Sequence, residues 1–204
     1  PHPVLPLGAV EIVEVEDGLP CGLGLAVLVE RRPSPQPARV VGVAGGAEKC
    51  RHAVEELGFD ACLDRHAPGL AARLAEACPD GIDVYFDLTG GDVLTAVLPL
   101  LKPFARIPVC GTIASTNAAA TLSGPDRLPG FMRLILTRHL LVRGFIVDDF
   151  SADTAEFETA MARWLADGSI RYREDVSQGL DSMVPAFIGM LEGRNFGKTL
   201  VRLG

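Results

Sequence analysis

RVVGVAGGAEKCRHAVEELGFD, residues 39–60, decides how the rest of the chain is read. Its apolar opening, Val40 to Ala44, reads as a buried strand and Gly45-Gly46 as a turn. Residues 47–57 read as a helix with Cys50, Val54 and Leu57 on one face and with Glu48 and Lys49 in its first turn. In a nucleotide-binding α/β sheet the end of the second strand governs adenine ribose chemistry. A carboxylate there holds a free 2′-hydroxyl, whereas a cation accepts a 2′-phosphate. No carboxylate stands at Ala44-Gly45-Gly46, and Lys49 and Arg51 follow. The pattern favours NADP over NAD. The glycine-rich loop that would grip a pyrophosphate just upstream is missing from the sequence.

Working outward, short apolar runs alternate with amphipathic stretches, which is the pattern of βαβ units and a parallel sheet. Strands are expected at 59–63, 83–88, 106–111, 142–147 and 198–203. Helices are expected near 69–77, from 89 to 101, and over 131–141, 154–165 and 185–191, with a long loop at 112–129. The expected fold is α/β, an incomplete Rossmann-like doubly wound parallel sheet. Ligands of such sheets bind at the carboxyl ends of the strands. Three glycine-bearing ends fall there: Ala44-Gly45-Gly46, Leu88-Thr89-Gly90-Gly91 and Cys110-Gly111-Thr112. Residues 1–38 stay unassigned, with two candidate edge strands and a stiff proline-rich connector, RRPSPQP. Gly22-x-Gly24 is half of a dinucleotide fingerprint, followed only by apolar residues and Glu30.

The chain has 204 residues, 48% of them hydrophobic, and a mean hydropathy of +0.26, so it can build a substantial core. A net charge of −7 argues against a nucleic-acid partner, because no basic stripe exists to displace counterions. Nothing approaches the length of apolar sequence that a membrane span requires. The apolar run at 22–29 is preceded by Glu11, Glu14, Glu16 and Asp17, where a secretory signal would need positive charge, so a cytoplasmic location is expected. The five cysteines form no C-x-x-C pair, and the four histidines are dispersed. Free thiols and no metal site are the reading.

VVGVAGGAEKC, LGFDACLD, GIDVYFDLTGG, FARIPVCGTIAS, LTRHLLVRGFIV and LEGRNFGKTLV, in that order, resemble the zinc-independent medium-chain dehydrogenases/reductases, within them the NADPH-dependent alkenal/one oxidoreductases. The resemblance covers residues 39–204. It implies a Rossmann-like NADP-binding domain at 39–170 and a segment at 171–204 that returns to a GroES-like catalytic domain. It further implies NADPH delivering hydride to the β-carbon of an enone or enal, with a homodimer among the expected assemblies. By the same resemblance Lys49 pairs with the 2′-phosphate, and Cys110, Gly111, Thr112 and Thr116 belong to the loop past the nicotinamide. The backbone of Phe145, Ile146 and Val147 faces the carboxamide, and Asn195 reaches the cofactor from the last loop. Three positions depart from the family pattern. Arg65 stands where a tyrosine usually contacts the adenosine phosphate, Leu88 replaces an asparagine, and Thr116 replaces a tyrosine. The family's catalytic domain and its first strand with the AxGxVG loop have no counterpart in residues 1–38.

Each candidate also has a plainer reading. Lys49 in a first helical turn is ordinarily solvated. Gly90 and Gly91 serve equally as turn glycines, and Asn195 as a turn former. Asp87 reads as a hydrogen-bonded strand-end aspartate, not a catalytic acid. Asp148-Asp149 reads as a solvated turn and Tyr85 as core, while Tyr172 stays unassigned. Two functions remain: an NADPH-dependent double-bond reductase or its cofactor-domain portion, with catalytic residues unknown, and a truncated, non-catalytic paralogue or gene fragment acting at most as a nucleotide-binding or interaction module.

Overall fold

The computed structural model describes residues 26–30, 38–112 and 126–203. Six strands form one sheet in the order β3-β2-β1-β4-β5-β6. They are β1 (Ala26–Glu30), β2 (Arg39–Ala44), β3 (Ala61–Asp64), β4 (Ile82–Phe86), β5 (Leu101–Val109) and β6 (Leu141–Gly144). Parallel registers link β2 to β3, β4 to β5 and β5 to β6. β1 runs antiparallel to both its neighbours, pairing five residues with β2 and three with β4. The five other strands therefore all point the same way, and their carboxyl ends share one rim.

This corrects the sequence reading at one place. Part of the segment read as a candidate edge strand lies at the centre of the sheet. It occupies the slot that a first Rossmann strand fills, but in the reverse direction, so that its Ala26 end lies at the rim and its Glu30 end on the opposite side. The earlier candidate strand at residues 8–17, the Gly22-x-Gly24 half-motif and the connector lie outside the described residues.

Helices α1 (Ala47–Glu55), α2 (Leu70–Ala77) and α3 (Gly91–Val97) cover the sheet. β2 shows why both faces are covered. Successive side chains of a strand point to opposite sides, and Val41 and Val43 join Leu74, Ile82, Tyr85, Val97 and Ile107 in one core cluster. Val40 and Ala44 join Cys50, Ala53 and Phe59 in another, under α1. A two-sided apolar strand of this kind is the mark of a doubly wound sheet. β5 begins five residues earlier than expected, because Leu101 and Ala105 are already buried against this core.

Beyond β5 lie α4 (Leu128–Arg138), β6 and α5 (Thr154–Asp167). β6 stops at Gly144, shorter than the expected 142–147, and a 3-10 turn begins at Val147. A separate two-stranded parallel sheet pairs β7 (Glu174–Gln178) with β8 (Lys198–Arg202), with α6 (Met183–Leu191) between them in sequence. Among the described residues no helix is long and apolar enough to cross a membrane.

Candidate functional site

The rim has two built regions, one on either side of β1. The first lies at the ends of β2 and β3. Asp64 organises it: its Oδ1 accepts from the backbone N–H of Gly46 at 2.9 Å and of His66 at 2.9 Å. These two bonds hold the Asp64 carboxyl below its ordinary pKa, the one from His66 first. Arg65 donates its own N–H to Ala44 O at 2.9 Å. Arg73 ties down the loop that follows, donating to the carbonyls of Asp64, Ala67 and Pro68. The turn after β2 and the turn after β3 are thereby locked to each other.

Lys49 is the centre of this region. It is only 8% exposed, which overturns the solvated reading. Its Nζ donates to Gly193 O at 2.7 Å, across 144 residues of chain. Burial, and then the charge of Arg65, hold its ammonium below the usual lysine pKa, with Asp175 opposing them. Arg65 is exposed, and its guanidinium lies between two glycines: a Cβ added at Gly45 would stand 3.3 Å from Nη2, and one added at Gly193 3.7 Å from it. A Cβ at Gly45 would also meet His66 Nε2 at 3.1 Å. Two cations and an imidazole thus border a cradle floored by glycine. Such a donor set suits a dianionic phosphate.

The second region lies at the ends of β4 and β5, and Asp87 is its hub. Asp87 is 2% exposed. Its Oδ1 accepts from Tyr85 Oη at 2.9 Å, Thr89 N at 3.1 Å and Gly90 N at 2.7 Å. Its carbonyl accepts from Cys110 N at 2.8 Å and Gly111 N at 3.2 Å. Burial, and then the Asp87 charge, raise the Tyr85 phenol well above its ordinary value. The same causes push the Cys110 thiol up to about 11. Gly90, at φ 66° and ψ −147°, adopts a conformation that only glycine takes without strain. Gly111 packs so tightly that a Cβ would lie 3.0 Å from Leu88 O. Phe145 adjoins this region through its N–H, which donates to Val109 O at 3.4 Å, and through ring contacts with Phe86 and Phe150.

The expected residues therefore divide. Lys49 and Arg65 converge on Gly193. Gly90, Cys110 and Gly111 converge on Asp87, with Gly91 opening α3 beside them. Ile146 and Val147 are 69% and 76% exposed and belong to the turn beyond the strand end. Thr112 is exposed at the edge of the described residues, and Thr116 lies outside them. Asn195 donates to Gly197 O at 3.0 Å and lines a shallow hollow of about 160 Å³ with Asp175, Ser177, Ala186, Gly189, Arg194 and Thr199. Its loop reaches the Lys49 side of the rim, where Phe196 packs edge-on against His52 at 5.2 Å. Sequence reasoning missed Gly193, whose contribution is a carbonyl and so carries no side-chain signal. It also missed Asp64, whose LGFDACLD context resembles an ordinary strand end. Among the described residues no three His, Cys, Asp or Glu side chains converge as metal ligands.

A doubly wound α/β sheet with a cation-bordered glycine turn after its second strand defines a Rossmann-type domain. The chain belongs to the zinc-binding dehydrogenase family, which matches residues 36–167. It is 52% identical over 166 residues to the NADPH-dependent curcumin reductase of Escherichia coli, covering 81% of this chain and 48% of that protein. It is 36% identical over 166 residues to rat prostaglandin reductase 1, covering 80% and 49%. The crystal structure of CurA in complex with NADPH, from Vibrio vulnificus, superposes with a TM-score of 0.78 at 47% identity, covering 80% of this chain and 49% of that one. The chain thus spans about half the length of the relatives it matches.

Proposed function

We propose that the chain is the cofactor-binding part of an NADPH-dependent oxidoreductase that reduces the carbon–carbon double bond of α,β-unsaturated ketones or aldehydes. Residues 39–170 would form the NADP-binding domain, and residues 171–204 the return toward a catalytic domain. One observation carries the reading: buried Lys49 and the Arg65 guanidinium meet beside Gly45-Gly46 at the end of β2. That donor set fits a ribose 2′-phosphate; the turn itself carries no acidic residue, and the Asp64 carboxylate beside it is engaged by the Gly46 and His66 N–H groups. Lys49 and Arg65 would hold that phosphate. Gly90, Gly91, Cys110, Gly111, Thr112, Thr116, Phe145, Ile146, Val147 and Asn195 would border the rest of the dinucleotide. When bound, NADPH supplies the hydride. The protein's part is orientation, and a chemistry of this type needs positioning more than a protein nucleophile. A homodimer and a cytoplasmic location belong to the same reading.

The test is a fluorescence titration with NADPH and NADH. We expect NADPH to saturate the chain and Lys49→Ala to weaken it roughly ten- to a hundredfold, the range of a lost charge-assisted bond, with NADH affinity unmoved. Equal affinity for NADPH and NADH in the unaltered chain would overturn the reading. A second reading, a nucleotide-binding module without turnover, is favoured by the antiparallel β1 in the central slot. An enone-reduction assay separates the two.

A further inference from the structure

The Lys49 ammonium is aimed by a loop far from it in the chain. Gly193, whose carbonyl accepts its bond at 2.7 Å, lies in the turn between α6 and β8. That turn is fixed at two further points, both on Phe196. The Phe196 backbone N–H donates to Asp175 Oδ2 at 3.0 Å. The Phe196 ring meets the Arg173 guanidinium, 3.9 Å from the ring centre, and the His52 imidazole, edge-on at 5.2 Å. His52 stands one helical turn beyond Lys49 on α1, and both are buried. Of these contacts the one to Asp175 is a hydrogen bond to a carboxylate, the stronger and more directional kind. Asp175 itself is half-buried in β7, opposite Thr199 of β8. Its charge also acts on Lys49, opposing the burial and the Arg65 charge that hold the ammonium below the usual lysine pKa. The small sheet thus reaches Lys49 twice, through the loop and through a charge.

Resting on the 2′-phosphate reading above, we propose that Asp175 is a positioning residue for that phosphate: by holding the Phe196 N–H it sets the loop whose Gly193 carbonyl aims Lys49. An ammonium carries three donors. With one held by Gly193 O, the other two can only swing about that bond, so moving the carbonyl redirects both. Discrimination between a phosphorylated and an unphosphorylated ribose then depends on a carboxylate in the small sheet, a residue that does not touch the ligand.

Fluorescence titration of the whole chain with NADPH and NADH tests this, on Asp175→Ala, Asp175→Asn, Lys49→Ala and the Asp175→Ala/Lys49→Ala pair. We expect Asp175→Ala to weaken NADPH by about fivefold or more, the range of a lost bond to a charged group, and NADH by less than about twofold. Asp175→Asn keeps an acceptor for the N–H and should stay within about twofold of the unaltered chain for both. In the double variant Asp175→Ala should cost nothing beyond Lys49→Ala, because residues acting through one another are not additive. Asp175→Val suits a strand better than alanine and equally lacks an acceptor, so it replaces Asp175→Ala throughout if the alanine variant does not fold. This inference fails, and the 2′-phosphate reading stands, if the acceptor-free variant leaves NADPH unchanged, weakens NADH as much, or multiplies with Lys49→Ala, or if Asp175→Asn falls as far. Equal affinity for NADPH and NADH in the unaltered chain, or no saturation by either, overturns the reading and this inference with it.

Discussion

Asp87 shows how much one residue can carry. Its buried carboxylate satisfies a phenol and two backbone donors, and its carbonyl two more. Removing the side chain would orphan three donors at once, and each buried unsatisfied group costs about 1–3 kcal/mol. Asp87→Ala should therefore lower the unfolding free energy by at least about 3 kcal/mol in urea denaturation, with Asp87→Asn, which keeps an acceptor, costing markedly less. A finding that the two variants are equal would mean the hub is not read correctly. Cys110 offers a pH test at the same scale. Burial, and then the charge of Asp87, push its thiol up to about 11, so in the folded protein it stays protonated where an unfolded thiol has ionised. Only the thiolate is the nucleophile. Alkylation of Cys110 at pH 9 should be slow in the native chain and accelerate after denaturation. By linkage the folded state binds the proton more tightly, so this group's contribution to stability is full below pH 9 and is lost as pH rises toward 11.

Elements were legible in the sequence where their pattern has a direction, and illegible where it has none. The turn from β2 into α1 was readable because an apolar run, two glycines and a 3.6-period helix follow in order. The 3-10 turn at Val147 was not, because Phe145-Ile146-Val147 continues the apolar character of β6 past the point where its pairing with β5 stops. β1 is the sharper case. AVLV is apolar whichever way it runs, so hydrophobicity marks a strand without fixing its direction or its neighbours. Position in the sheet is a property of the partners. Lys49 was legible by its place after Gly45-Gly46, whereas its partner Gly193 was not, because a backbone carbonyl leaves no trace in composition. In the small sheet, Gly197 is the residue on which two strands depend. At φ 98° its added Cβ would land on the carbonyl of Arg173, next to β7. Gly197→Ala should cost about 2–4 kcal/mol through strain and displacement. Hydrogen exchange should show the loss in β7 and β8 first, with β2 to β5 protected.

At the scale of the whole molecule, and among the described residues, the hydrogen-bonded ladder has two halves joined through β1. β2 and β3 stand on one side and β4 to β6 on the other, and β2 and β4 are not neighbours. Strand β1 should therefore exchange its amide hydrogens as slowly as β2, and far more slowly than the edge strand β6. Fast exchange in residues 26–30 would mean that the central slot is open. The family resemblance was read from six ordered motifs beyond residue 38, and the comparisons bear it out over that range. The family match begins at residue 36, and β1, which lies before it, is where the structure departs from the sequence reading. The bond from Lys49 to Gly193 has a consequence in time. The ammonium is aimed by a carbonyl 144 residues later in the chain. Until the last turn before β8 has docked, Lys49 is a loose side chain with about 2 kcal/mol of rotamer freedom still to lose. Competence to hold an anion therefore waits on a turn that lies 144 residues further along the chain than the residue that confers it.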